Sequence, residues 1–460
     1  MRVRHVLASG IAISCSLSGI ASAITLDITS ASSIKDAAKT IAKGTMSYYT
    51  GYKPGDNPGN LPDPYYWWEA GAMFGTMVEY WYYTGDTEYN PIVKQALISQ
   101  IGDDNDYMPT NQTKTLGNDD QGFWGMSAMT AAELKFEDPD PTKPGWLALA
   151  QAVFNDLAGR WDETSCDGGL RWQIFAFNNG YTYKNSVANG CLFNLAARLA
   201  VYTGNSSYAD WAVKTWDWME HVGLMSDTYA VFDGSSDLDG CKTIDHRQWS
   251  YNQGIFLFGA AMMYNFTSGS DVWEPRVQGL LNGTSIFFKE DKVMFESACE
   301  DVTTAKGTCN TDQQTFKGFL SRWMAATSKV APFTHAQIQS YLQPSAKAAA
   351  LQCSGGTDGV TCGEHWSAGA TWDGLYGVGQ QMSALSVVQS MLIDNAPDLV
   401  TNTTGGTSAG NAAAGAGGGT DSSGGTVIII TGKDKAGAGI LTALVLSCVI
   451  ASVGFMVTGS

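Results

Sequence analysis

The chain is poor in charge, and poorest in positive charge. Only 15% of its 460 residues are charged, and 27 Lys and Arg stand against 44 Asp and Glu, for a net charge of −17. A nucleic-acid-binding protein needs basic surface to neutralise phosphates, so nucleic acid is excluded as a partner. The five histidines lack the spacing of a zinc site, and no phosphate-binding or dinucleotide fingerprint is present. We therefore expect no metal and no cofactor.

The beginning of the chain is typical of a secreted protein. Arg2 and Arg4 precede an apolar run over residues 6–20, and Ala21-Ser22-Ala23 fits a cleavage site of small residues. We predict a signal peptide at residues 1–23 and a mature chain that begins near Ile24.

The composition changes again at residue 401. Residues 401–426 are mainly Gly, Ser, Thr and Ala, which cannot build a core, so we expect a flexible stalk after a folded domain at residues 24–400. The apolar tail over residues 436–460 is long enough for a transmembrane helix, but no basic anchor follows it. Residues 427–460 are therefore predicted to be a removed GPI-attachment signal, with attachment within residues 418–425 at the outer face of the plasma membrane or cell wall.

Cysteines and glycosylation sequons agree with secretion. Short spacing favours the disulfides Cys299–Cys309 and Cys353–Cys362, and Cys166–Cys241 is a longer candidate, which leaves Cys191 as a buried free thiol in an apolar helix. Asn-x-Ser/Thr sequons, each a weak signal alone, begin at Asn111, Asn205, Asn265, Asn282 and Asn402.

Residues 34–397 are nearly all helical in pattern and repeat loosely, with no convincing alternating strands. Six helices begin alike, with a polar residue, often a Gly, and then small and aromatic residues. These starts are Trp68-Glu69-Ala70-Gly71, Asn118-Asp119-Asp120-Gln121-Gly122, Ala188-Asn189-Gly190-Cys191, Tyr251-Asn252-Gln253-Gly254, Asp312-Gln313-Gln314 and Trp372-Asp373-Gly374-Leu375.

Six nearly apolar inner helices that alternate with six amphipathic outer ones predict an all-α (α/α)6 barrel, a toroid of six helical hairpins. In such a ring the six inner helix starts meet at one end and line one pocket. The alternative is an open helical solenoid whose polar residues only cap helices. Trp and Tyr beside the polar residues favour the ring, because capping does not select them.

The second of these starts carries the adjacent carboxylates Asp119 and Asp120. Asn118 is expected to be the N-cap, and the aromatics Phe123 and Trp124 follow. The acids could simply complement the positive end of the helix dipole. In a shared pocket they would repel each other, which raises the proton affinity of one while the helix start favours charge on the other.

Several motifs are similar to glycoside hydrolase family 76, in particular its fungal GPI-anchored branch of mannan endo-1,6-α-mannosidases. They are Trp67-Trp68-Glu69-Ala70-Gly71, Gly117-Asn118-Asp119-Asp120-Gln121, Gly169-Leu170-Arg171-Trp172-Gln173, Tyr183-Lys184-Asn185-Ser186, Asn189-Gly190-Cys191 and Trp249-Ser250-Tyr251-Asn252-Gln253-Gly254. The resemblance covers the whole mature chain and implies a retaining enzyme for α-1,6-linked mannose. It makes Asp119 the nucleophile and Asp120 the general acid/base.

Other residues at these motifs are candidates for sugar binding, although each has a structural alternative. Trp residues can stack on pyranose rings or fill the core; the candidates are Trp67, Trp68, Trp124, Trp172 and Trp249. Polar side chains can bind hydroxyls or cap helices; the candidates are Glu69, Arg171, Asn185, Asn189, Asn252, Gln253 and Asp373, with His246 at the rim.

The resemblance leaves the acceptor open, because either water or a sugar hydroxyl can resolve a glycosyl-enzyme intermediate. The fungal branch implies cleavage of the α-1,6 mannose linkage in the GPI core glycan and transfer of anchored proteins to cell-wall β-1,6-glucan. Membrane tethering would favour this transfer through a high effective concentration. The alternatives are endo-hydrolysis of α-1,6-mannan and a catalytically silent protein that binds wall glycan.

Overall fold

The computed structural model describes residues 23–300 and 307–415, and these residues are almost entirely helical. Twelve α-helices follow one another in them: α1 Ala31–Met46, α2 Trp67–Thr84, α3 Asn90–Ser99, α4 Asn118–Glu133, α5 Trp146–Gly159, α6 Ser186–Thr203, α7 Ser206–His221, α8 Ser250–Phe266, α9 Trp273–Gly283, α10 Phe316–Val330, α11 His335–Gln352 and α12 Val378–Gln389. No helix within these ranges has the length and hydropathy to cross a bilayer. The predicted GPI signal and all but the last residue of the predicted signal peptide lie outside the described residues.

The even-numbered helices form a closed inner ring. Along the ring α2 packs against α4, α4 against α6, α6 against α8, α8 against α10 and α10 against α12, and α12 returns to α2. The odd-numbered helices pack outside this ring, each against an inner neighbour. The predicted (α/α)6 barrel is thus confirmed, and the open solenoid is wrong.

Inner helices approach closely because their contact positions are small. Nearly every residue of α4, α6, α8 and α12 is buried. A Cβ on Gly71 of α2 would lie 2.6 Å from the indole ring of Trp124 on α4, so only glycine fits there. Helices α4 and α6 are equally close just after the acidic pair, since a Cβ on Gly122 would lie 2.5 Å from the Cβ of Cys191.

Buried ion pairs join inner helices away from their first turns. Arg198 Nη2 of α6 lies 2.6 Å from Glu133 of α4, and Arg322 Nε of α10 lies 2.7 Å from Glu79 of α2. Removing one partner of such a pair lowers the free energy of unfolding, because the remaining charge is left buried without a partner. The Arg198–Glu133 pair lies toward the end of the ring opposite the inner helix starts, and Arg322 lies at the middle of α10.

Short strands occur only in loops that precede inner helices, within the described residues. β1 (Tyr183–Asn185), β2 (Gly234–Ser236) and β3 (Ile244–Asp245) form an antiparallel sheet in that order, ahead of α6 and α8. β4 (Cys353–Gly355) pairs with β5 (Thr361–Cys362) ahead of α12. These elements lie at the end of the barrel where the inner helices begin, which we call the catalytic end because the predicted acidic pair stands at one of these helix starts.

Five of the six predicted inner helix starts agree with the structure to within a few residues, but the sixth is wrong. Trp372-Asp373-Gly374 form a turn, and α12 begins only at Val378. Asp373 Oδ1 accepts the backbone N–H of Leu375 at 2.9 Å, and Gly374 has a φ of +80°. This turn competes with helix formation at that point.

The predicted disulfides are all present: Cys166–Cys241, Cys299–Cys309 and Cys353–Cys362. Cys191 is a buried free thiol, as expected. The predicted stalk differs from the structure, since its residues 401–415 pack against α5 and α6 rather than leaving the body.

Replacing Gly71 by Ala tests the close contact between α2 and α4. The added Cβ clashes with the fully buried Trp124 ring, so we expect a loss of about 1–3 kcal/mol in the free energy of unfolding. Gly159→Ala is the matched control, because that helical glycine has no atom within 4 Å of the added Cβ. Denaturant unfolding of both variants checks this; equal stabilities would contradict it.

Candidate active site

The inner helix starts surround one cavity of about 660 Å³ at the catalytic end. This volume lies in the usual range for small-molecule sites. Seven of the candidate residues line it: Asp119, Asp120, Trp67, Trp68, Trp172, Asn185 and Trp249.

The acidic pair lies in the first turn of α4, and backbone groups hold both carboxylates. Gly117, the N-cap, donates its N–H to Asp120 Oδ2 at 2.6 Å, and the Asp120 N–H donates to Asp119 Oδ1 at 3.1 Å. The expected N-cap, Asn118, is instead the first helical residue. Its N–H and Nδ2 donate to the carbonyls of Trp172 (2.8 Å) and Arg171 (2.9 Å), which ties the helix start to the neighbouring loop.

Burial makes both acids hold protons more strongly than usual. Burial, the charge of Asp120 and, more weakly, that of Asp312 raise the pKa of Asp119 well above its usual range. Burial and Asp312 raise the pKa of Asp120 to about 7, against the opposing hydrogen bond from Gly117. Because the two groups interact, they titrate as a pair, and both raised pKa values favour a proton on the pair at a pH where an isolated carboxyl group is ionised.

A third carboxylate, Asp312, lines the same cavity just before α10. Trp68 Nε1 donates to Asp312 Oδ1 at 3.0 Å. Burial raises the pKa of Asp312, and this hydrogen bond opposes the rise. The side chain therefore links an aromatic wall to the electrostatics of the acidic pair.

Aromatic side chains form the walls. Tyr251 and Phe316 stack with ring centroids 3.7 Å apart and planes 3° from parallel, and Trp249 packs edge-on against Phe316. Trp172 on the opposite loop is 38% exposed, and Tyr66 ahead of α2 is 54% exposed. Flat apolar faces beside hydrogen-bonding groups suit pyranose rings, which carry one C–H face and a rim of hydroxyls.

Asn185 and its neighbours form a polar side of the cavity. Asn185 caps α6 by accepting the N–H of Ala188 at 3.2 Å, and the Tyr183 hydroxyl donates to Asp233 Oδ2 at 2.7 Å. Arg247 is the one basic residue among the lining residues, and Asp245 pairs with it. The lining thus carries four carboxyl groups and one guanidinium.

Three further candidates are buried and do not line the cavity. Trp124 is fully buried, stacks on Trp67 with centroids 4.9 Å apart and donates Nε1 to the Trp67 carbonyl at 3.2 Å. Glu69 accepts the N–H of Tyr66 at 2.8 Å, and burial raises its pKa to about 8. Asn252 is fully buried in α8.

The other candidates also lie outside the cavity lining, where they hold loops in place. Arg171 pairs with Asp162 (2.8 Å) and Asp237. Asn189 accepts the Leu170 N–H at 2.8 Å and donates to its carbonyl at 3.1 Å.

The last three candidates also contact other protein groups outside the cavity lining: Gln253, His246 and Asp373. Gln253 donates to the carbonyls of Tyr229 and Leu280, both at 2.9 Å. His246 lies edge-on to Phe232, with ring centroids 4.5 Å apart. Asp373 accepts the backbone N–H groups of Glu364, His365 and Leu375.

Other lining residues were not among the candidates. Asp312, Gln313 and Tyr251 belong to predicted helix starts, and Tyr183 stands in a quoted motif, so a signal existed for them. Arg247 and Asp233 come from the loops beside β2 and β3, and their place depends on that sheet. The rest are Tyr66, Gln112, Thr115, Leu116, Phe123, Gln173, Val187, Asn310 and Phe316. Residues 23–300 and 307–415 hold no cluster of three or more His, Cys, Asp or Glu suited to a metal.

A closed helical barrel with adjacent carboxyls in an aromatic-walled cavity defines a glycoside-cleaving enzyme. The family model for glycosyl hydrolase family 76 matches residues 33–403, and the chain belongs to that family. It is therefore a glycoside hydrolase.

Similar proteins cover nearly the whole chain. It is 49% identical over 431 residues to mannan endo-1,6-alpha-mannosidase DCW1 of Saccharomyces cerevisiae (93% of this chain, 94% of the relative), and 47% identical over 427 residues to DFG5 of that yeast (92% of each). The crystal structure of Dfg5 from Chaetomium thermophilum in complex with glucosamine is 46% identical, with a TM-score of 0.81 over 85% of this chain and 97% of that one. The α-1,6-mannanase GH76A of Salegentibacter shares the fold at 16% identity, with a TM-score of 0.61 over 78% and 98% of the two chains.

Replacing Asp312 by Asn tests its electrostatic effect on the acidic pair. The negative charge of Asp312 is one cause of the raised pKa of Asp119 and Asp120, so its removal should lower both. We expect the alkaline limb of the kcat/KM profile to move to lower pH.

Asp233→Asn is the control, because Asp233 lines the same cavity without being a main cause of either shift. It should leave the alkaline limb in place. An unmoved limb in Asp312→Asn would show that Asp312 does not act on the pair.

Proposed function

We propose that the chain is a retaining enzyme that cleaves α-1,6-mannosidic linkages and transfers the glycosyl group to a sugar acceptor. The observation that carries this proposal is the acidic pair at the start of α4, which lines the cavity and whose raised pKa values favour a proton on the pair. Glycoside cleavage by a retaining enzyme needs one ionised and one protonated carboxyl group.

In the proposed reaction, Asp119 attacks the anomeric carbon while Asp120 protonates the leaving glycosidic oxygen. The bond to the aglycone breaks and an ester to Asp119 forms. Asp120, now ionised, then takes a proton from an incoming hydroxyl, whose oxygen attacks the anomeric carbon and releases Asp119. The enzyme returns to its starting protonation state.

The backbone hydrogen bond at the helix start favours the opposite placement of the proton. The Gly117 N–H donates to Asp120 Oδ2 at 2.6 Å, and this bond favours the ionised form of Asp120. The assigned roles therefore require that substrate binding moves the proton to Asp120. A glycosidic oxygen that accepts a hydrogen bond from Asp120 supplies such a bias, because it stabilises the protonated form.

The names of the relatives support α-1,6-linked mannose as the substrate class. The GPI core glycan contains such a linkage, and the predicted GPI anchor would place the enzyme beside other anchored proteins at the outer face of the membrane. Transfer of these proteins to cell-wall β-1,6-glucan is thus the leading proposal. Its alternative is hydrolysis of α-1,6-mannan, the activity that the names of the relatives describe. The presence of both acids counts against the other alternative, a catalytically silent protein that binds wall glycan.

Chemical rescue tests the roles of the two acids. Asp119→Ala and Asp120→Ala should each lose about 100-fold or more in turnover of an aryl α-1,6-mannobioside. Azide added to Asp119→Ala should give the β-glycosyl azide, since it enters from the face the nucleophile vacates. Azide added to Asp120→Ala should capture the glycosyl-enzyme and give the α-glycosyl azide. The reverse stereochemistry would exchange the two roles.

An acceptor experiment separates transfer from hydrolysis. Purified enzyme is incubated with a GPI-core glycan, with and without β-1,6-glucan, and products are separated by size and by reducing-end labelling. We expect a covalent conjugate of donor and glucan. Free reducing ends without conjugate would leave hydrolysis as the activity, and the Asp119→Asn variant is the inactive control.

A further inference from the structure

The first turn of α4 has two faces. Asp119 and Asp120 line the cavity, whereas the residues on either side of them, Asn118 and Gln121, do not. Residues three apart share a helix face, so Asn118 and Gln121 lie together on the side away from the acids. Both are buried, with 2% and 0% of their surface exposed. Contacts on this second face therefore set the rotation of the turn that presents the acids.

One side chain, that of Arg160, contacts both residues of this second face. Arg160 directly follows α5, and its Nη1 donates to Asn118 Oδ1 at 3.1 Å and to Gln121 Oε1 at 2.6 Å. It does not line the cavity, and 22% of its side chain is exposed. The guanidinium group therefore joins the end of an outer helix to the start of the inner helix that carries the acids.

The bond to Asn118 also affects the loop that forms one cavity wall. Because Oδ1 of Asn118 accepts from Arg160, the amide presents Nδ2 to the Arg171 carbonyl, to which it donates at 2.9 Å. The backbone N–H of Asn118 donates to the carbonyl of Trp172, which lines the cavity. An amide turned the other way would place its oxygen against the Arg171 carbonyl. Arg160 thus favours the amide orientation that joins α4 to this loop.

The bond to Gln121 belongs to a buried network that includes Asp156. Gln121 Nε2 donates to Asp156 Oδ2 at 2.6 Å and to the Asp106 carbonyl at 2.7 Å. Asp156 lies one turn before Arg160, and its Oδ2 is 3.5 Å from Arg160 Nη2. Burial raises the pKa of Asp156 to about 6, and the charge of Arg160 opposes this rise. Loss of Arg160 would leave the Gln121 oxygen without its donor and the Asp156 carboxylate without its partner.

We propose that Arg160 is a positioning residue for the acidic pair, an inference that rests on the proposed function of that pair. Through Asn118 and Gln121 it fixes the rotation of the first turn of α4, and with it the direction in which both acids face the sugar. It acts through geometry, because its charge is not a main cause of the raised pKa of either acid. A displacement of about 1 Å at the reacting atoms can cost about 100-fold in rate.

Steady-state kinetics of Arg160→Met test this role. With a soluble aryl α-1,6-mannobioside we expect kcat to fall about 10- to 100-fold and KM to change little, because Arg160 does not line the cavity. Arg276→Met is the matched control and should keep both values. Arg276 has 18% of its side chain exposed, but it pairs with Asp217 and Glu220 in the outer layer. An unchanged kcat in Arg160→Met, or a raised KM alone, would overturn the proposal.

A second variant guards against a folding defect, since Arg160→Met alone leaves the Asp156 carboxylate buried without its partner. Arg160→Met combined with Asp156→Asn removes both charges, and the amide oxygen introduced at position 156 can still accept from Gln121. The kcat of this double variant should lie about 10- to 100-fold below that of Asp156→Asn alone. Equal kcat values in these two variants would overturn the proposal.

The pH profile then separates positioning from electrostatics. A residue that only orients the acids lowers the rate without changing the pKa values that the kcat/KM profile reports. The alkaline limb of the profile should therefore fall at the same pH in the double variant and in Asp156→Asn alone. A limb that moves to a different pH in the double variant would show that Arg160 acts on the pair by its charge, and would overturn the proposal.

Hydrogen exchange keeps this test separate from the proposed function, because it needs no turnover. The backbone amides of residues 117–121 should exchange faster in the double variant than in Asp156→Asn alone, and Arg276→Met should match the wild type. Equal exchange in the double variant and in Asp156→Asn would overturn the proposal. A wild type that shows no cleavage of α-1,6-mannosides, together with this difference in exchange, would refute the proposed function and leave Arg160 as the residue that holds the turn.

Discussion

The hydrogen bond from the Gly117 amide to Asp120 is the interaction on which the chemistry of the cavity depends. It satisfies a backbone donor at the start of α4 and also holds a carboxylate that burial alone would keep neutral. The position of that helix start is in turn fixed by Asn118, which bonds to the loop carrying Arg171 and Trp172. Helix capping and the placement of the acids are thus a single structural arrangement.

The two ends of the barrel differ in structure. At the end opposite the catalytic end, inner helices are joined by buried pairs such as Arg198–Glu133. At the catalytic end, each inner helix is preceded by a loop, and these loops supply most of the cavity walls. Polar residues that do not reach the cavity, such as Asn189 and Gln253, connect helix starts to the loops. The site is therefore built on a closed ring of helices and shaped by the loops that precede them.

Sequence reasoning was most successful where one residue type has one structural use. The six similar helix starts indicated the ring. The acidic pair stood at one of these starts, so it indicated which end of the ring holds the cavity. It was less successful for Trp124 and Asn189, since large aromatics and amides serve a core or a loop as readily as a ligand. Asp312 stood at a predicted helix start but was not named as a site residue, whereas Arg247 could not be assigned to the cavity, because its place depends on the sheet of β2 and β3. Residues 401–415 were predicted to be a stalk because their small and polar residues cannot form a hydrophobic core. The structure shows that the segment packs on α5 through hydrogen bonds, which do not require large apolar side chains.

The three disulfides all lie in loops at one end of the molecule. Cys166–Cys241 joins the loops ahead of α6 and α8, Cys299–Cys309 lies ahead of α10, and Cys353–Cys362 lies ahead of α12. No crosslink among the described residues ties one helix of the ring to another. A reducing environment would therefore loosen the sugar-facing surface while the helical scaffold stayed assembled. The final shape of these loops therefore depends on oxidation of their cysteines, whereas assembly of the helical ring does not.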